Sequence, residues 1–469
     1  MRLQTSILSR QQQKQIHTAA LRVLNETGVK IEHSRVRDLL VCAGGVENAE
    51  GITFSADTIE QHIAQTPKTP LDERQAVAKI HSEVIACKWL DPLTGVISDF
   101  TETRLAQFAD FSNHLSTDCW ASLHTLPFET SELPFNLSPL GEKTMAWKWG
   151  YFPQGSVIDT VLCQPILDLF TARASHQGKK IAEVFNACGF LVSPLRLART
   201  ECEQMLFFHD RGLEMGIGQM PIQGATAPAT LAGTLTLTIA EELFMLILRR
   251  AFGSSMPMVL GGTPQTMDMR SALACFGRPQ RNLITVALAD MARFYGCGRA
   301  THSGLSDAMI PGAEATFQKS SSALMAILSS GKTSVAGGLL GVDEVCSPIQ
   351  LFLDVQMVNA LNQMLQMPEF TEADCSVESI TEVGPGGSFL GTMETLMNHP
   401  QSLPIHEPWN FRSLSSWQAA GSPTDMDAAR ESFRIFVEKW EPQPRISAEE
   451  EADYRSILKN ARTLATSVK

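Results

Sequence analysis

Met215-Gly216-Ile217-Gly218-Gln219-Met220-Pro221-Ile222-Gln223-Gly224-Ala225-Thr226-Ala227-Pro228 reads as one complete strand-to-helix joint. Residues 215–222 form a short apolar strand. Gly224 opens a turn, and Thr226 with Pro228 reads as the start of a long helix over 228–252. The same grammar recurs outward in both directions. Strand readings fall at 119–126, within 143–160, and at 189–195, 215–222, 256–262, 299–304, 333–340 and 387–392. Long helical segments at 228–252, 281–295, 306–330 and 348–365 lie between them. Eight strands alternating with crossover helices predict an α/β fold of the (β/α)8 TIM-barrel type.

The flanks read differently. Residues 9–27 place Ile16, Ala20, Leu21 and Leu24 at helical spacing, and Gly28 follows as a stop. Further helices over 35–43 and 56–65 precede a β-ribbon between 80 and 100 and a helix at 101–115. After Leu396 the pattern is helical and charged, over 425–438 and 448–466, with Pro442 and Pro444 at the joint. The predicted organisation is an N-terminal cap of helices and β-ribbon (1–118), a catalytic barrel (119–395) and a C-terminal helical appendix (396–469).

The 469 residues are 44% hydrophobic and 19% charged, enough for a large core without disulfide or metal staples. A formal charge of −12 argues against non-specific nucleic-acid binding, which needs a basic face. The apolar run 244–248 is flanked by Glu241, Glu242, Arg249 and Arg250, far short of the about 20 residues of a membrane span, and reads as a buried helix. No apolar leader follows Met1, and the ten cysteines occur singly without a CxxC pair. Both features fit a cytoplasmic protein with reduced thiols. The sequence is compatible with a monomer or a homo-oligomer.

In such a barrel the chemistry gathers at the C-terminal strand ends. That rule selects His302, Gln219 and Gln223 as candidate catalytic or positioning groups, with His124 beside them. The helix start after Gln223 offers free N–H groups to a carboxylate or phosphate, or is a simple turn. Arg270 either clamps an anionic group or pairs with Asp268. His209, at a helix end, reads as structural. Trp147, Trp149 and Tyr151 cluster in a chain with 7 Trp and 3 Tyr. Their rings either wall a pocket for a quaternary ammonium or pack as core. Asp307 and Glu314 either face a cation or are solvated helix residues.

Four stretches together resemble the trimethylamine methyltransferase (MttB-like) superfamily over nearly the whole chain: 20–29, 224–234, Gly304-Leu305-Ser306-Asp307-Ala308, and Val383-Gly384-Pro385-Gly386-Gly387-Ser388-Phe389-Leu390. The resemblance implies a TIM-barrel enzyme that moves a methyl group from a methylated amine to the Co(I) corrinoid (cobalamin) of a separate partner protein. It implies no tightly bound cofactor or metal of the chain's own. Every position is a standard residue, which is similar to the non-pyrrolysine branch acting on quaternary amines such as glycine betaine. Another N-methyl or sulfonium donor, or a non-catalytic amine-binding barrel, are the alternatives. The family's glycine-rich motif continues with two histidines where this chain has Ser388 and Glu394, so those two positions are candidate substrate contacts that differ here.

Overall fold

The computed structural model describes residues 5–71, 77–85, 87–365, 371–402 and 412–467. It is a mixed α/β structure in which short parallel strands alternate with long helices. The longest parallel run is ordered His302–Ser303, Lys332–Gly337, Val77–Val84, Trp120–Leu123 and Tyr151–Pro153. Ser156 bridges to Cys188, and Cys188–Phe190 pairs in parallel with Gly216–Gly218. Backbone hydrogen bonds from Thr263 N to Gln219 O and Gln265 N to Pro221 O continue the series. Val259–Leu260 then pairs in parallel with Gly298–Arg299, just before His302.

Two elements differ from the sequence reading. Val77–Val84, assigned there to a ribbon outside the barrel, lies in the middle of the main sheet, between Lys332–Gly337 and Trp120–Leu123. Its inward positions are polar, so it lacks the continuous apolar run of a buried parallel strand. Residues 387–392 form no strand; Gly384 and Gly386 have positive φ, and the segment runs as turns into the helix Met393–Ser402. The antiparallel ribbon does exist, as Lys88–Leu90 against Ile97–Ser98.

One face of the sheet is covered by helices. Ile80 and Val84 pack with Leu105, Phe108, Leu351 and Val355 from the helices Glu102–Leu115 and Pro348–Met364. Ala121, Leu123 and Tyr151 join the same cluster. Met215, Met258, Leu260 and Cys297 pack on the helix side of the other strands. Alternation along each strand turns the intervening residues to the opposite, inner face.

Leu231–Ala251 is, among the described residues, the one helix long and apolar enough to cross a membrane, but most of it is buried inside the protein. Its Glu241 accepts from Leu195 N and Ser193 Oγ, and Glu242 from Gly261 N and Gly262 N. Burial pushes Glu241 up to about 7, its two hydrogen bonds offsetting only part of that. These carboxylates tie strand ends to a core helix, since a buried acceptor left unpaired is costly.

Arg10–Glu26 starts with a capping box of Ser9 and Gln12 and buries Ile16, Ala20, Leu21 and Leu24. The C-terminal helices dock on the body: Phe433 lies 5.1 Å from Phe111, and Tyr454 5.2 Å from Trp147. All ten cysteines are unpaired.

Candidate functional site

Val77–Val84 brings His81 and Glu83 to the inner face, two residues apart. Glu83 is fully buried and is the centre of a polar cluster. His302 Nε2 lies 2.9 Å from its Oε2, His124 Nε2 contacts its Oε1, and His81 Nε2 is 3.7 Å away. Three strands therefore point imidazoles at one carboxylate. Ser334 Oγ holds His81 Nδ1 at 2.7 Å, which fixes that ring, and the ring stacks on Trp120 at 4.5 Å and 13°.

The electrostatics follow from the packing. Burial alone would raise Glu83, but the charge of His302, its hydrogen bond and the close imidazoles of His124 and His81 outweigh it and hold the carboxyl well below the usual range. Burial lowers His302, and the charge and hydrogen bond of Glu83 overcome this to leave it raised. His81, more deeply buried, is lowered despite Glu83. Asp343, in the loop after Lys332–Gly337, is pushed up to about 6, first by burial and then by the charge of Glu83. Its Oδ1 is buried without a hydrogen-bond partner.

Buried cations fix the strand ends around this centre. Lys319 Nζ donates to Gly304 O and Ala336 O and lies 3.0 Å from Asp354. Arg281 donates to His302 O at 2.8 Å and to Gln265 Oε1 at 2.7 Å. Second-layer contacts of this kind set the rotamers of the groups they support. His81, Glu83 and His302 offer ligand atoms all within 4.8 Å of one another, a set that could hold a divalent cation.

Of the residues selected from sequence, the structure brings His302 and His124 together, on Glu83. Gln219 is buried on the helix side, where Nε2 donates to Thr238 O at 2.9 Å. Gln223 donates to Ala229 O within its own turn, and the following helix starts at Leu231 with Thr230 as cap, later than Thr226 and Pro228 suggested. Trp147 packs between Phe170 and Tyr454, Trp149 donates to Glu102, and Tyr151 donates to Leu105 O. These three are core residues on the helix side, so they do not wall a cavity on the inner face. Arg270 is 90% exposed and faces Asp268 at 3.8 Å. Asp307 accepts from Phe276 N and Gly277 N, and Glu314 from Gln318 Nε2 on an exposed turn. Ser388 accepts from Leu390 N, and Glu394 from Asn398 Nδ2 in its own helix.

Glu83, His81, Trp120 and Asp343 escaped the sequence reading. The available signal was the alternation Lys79-Ile80-His81-Ser82-Glu83, with polar residues at every second position of a strand, and the matching stripe Trp120-Ser122-His124.

A family model described as Trimethylamine methyltransferase (MTTB) matches residues 166–459. The trimethylamine methyltransferase MttB of Methanosarcina thermophila is 29% identical over 254 residues, 54% of this chain and 52% of that protein. The Methanosarcina barkeri MttB is 28% identical over 271 residues, 57% and 54% of the two. The chain thus spans about half the length of these relatives. The glycine betaine methyltransferase of Desulfitobacterium hafniense (strain Y51) is 24% identical over 421 residues, 85% of each chain. The crystal structure of the Methanosarcina barkeri monomethylamine methyltransferase (MtmB) overlays 98% of this chain and 95% of that one at 11% identity, with a TM-score of 0.42.

Proposed function

The chain belongs to the trimethylamine methyltransferase family, and on that premise we propose that it takes a methyl group from a quaternary amine and passes it to the Co(I) corrinoid of a separate partner protein. The observation that carries this reading is Glu83, a buried carboxylate at the end of a central strand with the imidazoles of His81, His124 and His302 gathered on it. A carboxylate fixed in one place and shielded from water attracts the positive end of a cationic donor across the low-dielectric interior, and His302 beside it shares that charge.

The fold that goes with it is a (β/α)8 barrel whose first strand is Val77–Val84 and whose last is Lys332–Gly337. The parallel pairings support this, because they lead from Val77–Val84 round to Lys332–Gly337, which pairs back to Val77–Val84, with the Ser156–Cys188 bridge and the pairing of Ile222–Gln223 with Gln265–Thr266 as the two links between ladders. On that reading the barrel begins near residue 77 and ends near residue 365, in place of 119–395.

In the transfer the N–CH3 bond breaks with its electron pair left on nitrogen, which departs as a neutral tertiary amine. Two electrons from Co(I) form the new Co–CH3 bond. No proton leaves the carbon, so the chain needs no general base. Its tasks are to hold the donor in line with the acceptor and to keep water out. His124, His302 and His81 lock the Glu83 carboxylate in one orientation. The side chains of His124 and His302 are 33% and 28% exposed, so this end of the strands reaches solvent. The ten unpaired thiols suit a reducing compartment, in keeping with action in the cytoplasm.

The test is to mix the purified protein with a reduced corrinoid protein and a panel of betaines, cholines, sulfonium compounds and methylamines, following the conversion of Co(I) to methyl-Co(III) by absorbance. Conversion with a quaternary amine is the expected result. No conversion with any member of the panel sinks the proposal.

A further inference from the structure

Closed parallel barrels are normally filled by bulky branched side chains in stacked layers. Here the inner positions on the strands around 216–218, 259–262 and 298–302 are Gly216, Gly218, Val259, Gly261, Gly298, Ala300 and His302, because Ile217, Leu260 and Cys297 take the helix side. A Cβ added at Gly261 meets no atom within 4 Å. Those added at Gly216, Gly218 and Gly298 come no closer than 3.4 Å to a neighbour, so mostly small residues line that part of the interior.

The strands on the other side carry rings. Trp120 is 41% exposed, Phe152 52% and Phe190 58%, high values for large apolar residues on parallel strands. Their face is set by register: Trp120 pairs with His81, Ser122 with both Glu83 and Phe152, and Phe190 with Gly218. Trp120 and Phe152 stand perpendicular at 6.3 Å, and one face of Trp120 is covered by His81. Ser122, fully buried between them in register, has an Oγ with no hydrogen-bond partner. A built cavity with exposed aromatic walls, an orphaned hydroxyl and a buried carboxylate near its mouth has the makings of a ligand site.

We propose that the interior between the glycine-lined strands and the Trp120, Phe152 and Phe190 rings holds the donor's cation, a compact onium group with several methyls, with Glu83 as its counter-ion and Ser122 Oγ as the partner of a polar substituent. This rests on the methyl-transfer reading and adds to it the place of the donor and a size limit. A fully methylated nitrogen has no N–H to donate, so ring faces and a distant carboxylate are the groups able to recognise it. The bare glycines opposite leave room for the methyls and set how large the donor can be.

The test uses the full chain without any corrinoid. Binding of tetramethylammonium is measured by calorimetry, with 3,3-dimethylbutanol as the uncharged shape control. The expected result is that tetramethylammonium binds and the control does not. Trp120→Ala should weaken binding about tenfold, with Trp120→Phe closer to the parent. Gly261→Leu places its side chain in open space, so it should keep the parent melting temperature while abolishing binding. Parent-like binding in folded Trp120→Ala and Gly261→Leu overturns the cavity proposal. If those variants also transfer methyl groups at the parent rate, the methyl-transfer reading stands without it. Conversely, onium binding lost in both variants, with no corrinoid methylation by the parent, keeps the cavity and removes the methyl-transfer reading.

Discussion

The Nε2 atom of His302 lies 2.9 Å from Oε2 of Glu83, across 219 residues of chain. This contact joins two strands at the centre of the site, and its charge logic can be measured. Glu83→Gln keeps the shape of the side chain and removes the charge that the three imidazoles surround. Breaking a buried pair from one side costs about 3 kcal/mol or more. Urea denaturation should show a loss of that order together with loss of methyl transfer. A stability change under about 1 kcal/mol would show that the imidazoles do not depend on the charge.

Asp343 gives a pH-dependent prediction. Its value in the folded chain, about 6, lies above the ordinary 3.8. Between those values the folded state binds more protons than the unfolded one, so stability falls as pH rises through this window. The ionised carboxylate is therefore a cost that is fully present above pH 6 and gone as pH drops towards 3.8. Asp343→Asn should stabilise the fold at about pH 8 by up to about 3 kcal/mol, with little effect at about pH 4. Asn tolerates the positive φ of 69° at this position. Equal effects at both pH values would remove the explanation.

Trp147 and Tyr151 should affect stability alone. Trp147→Ala empties a core site between Phe170 and Tyr454 and should cost about 3–5 kcal/mol. Tyr151→Phe removes the hydrogen bond to Leu105 O and should cost about 1 kcal/mol. Tetramethylammonium affinity is expected to be unchanged in any folded variant, measured by calorimetry. A selective loss of affinity would return these rings to the binding site.

Zinc should antagonise the donor. His81, Glu83 and His302 can gather on a divalent ion, and an ion seated there cancels the charge of Glu83. Titrating zinc chloride is expected to weaken tetramethylammonium binding, and EDTA to restore it. An unchanged dissociation constant at saturating zinc would show that the carboxylate and the donor act independently.

The strands from 119 to 340 and the long helices from 228 to 365 were legible because apolar runs and helical spacing mark them directly, whereas the helices Ser138–Trp149 and Cys163–Gln177 were not read. Val77–Val84 was not, because His81 and Glu83 break the apolar run that identifies a buried strand, and those are the residues the site needs. The segment at 387–392 misled for the opposite reason: its glycines and apolar residues imitate a strand, while its backbone takes turn conformations. His302 and His124 were within reach of a positional rule about strand ends. Trp147, Trp149 and Tyr151 were drawn in by being adjacent in sequence, whereas the exposed rings Trp120, Phe152 and Phe190 sit on separate strands and meet only through register.

The pairing of Val77–Val84 with Lys332–Gly337 has a consequence for biosynthesis. Glu83 leaves the ribosome long before His302, so its carboxylate has no imidazole from that strand while most of the protein is made. Until then the sheet cannot close over the charge without the penalty of an unpaired buried ion. A chain that stops short of residue 302 should stay open and vulnerable to proteolysis, so that completing the site and completing the fold are the same late event.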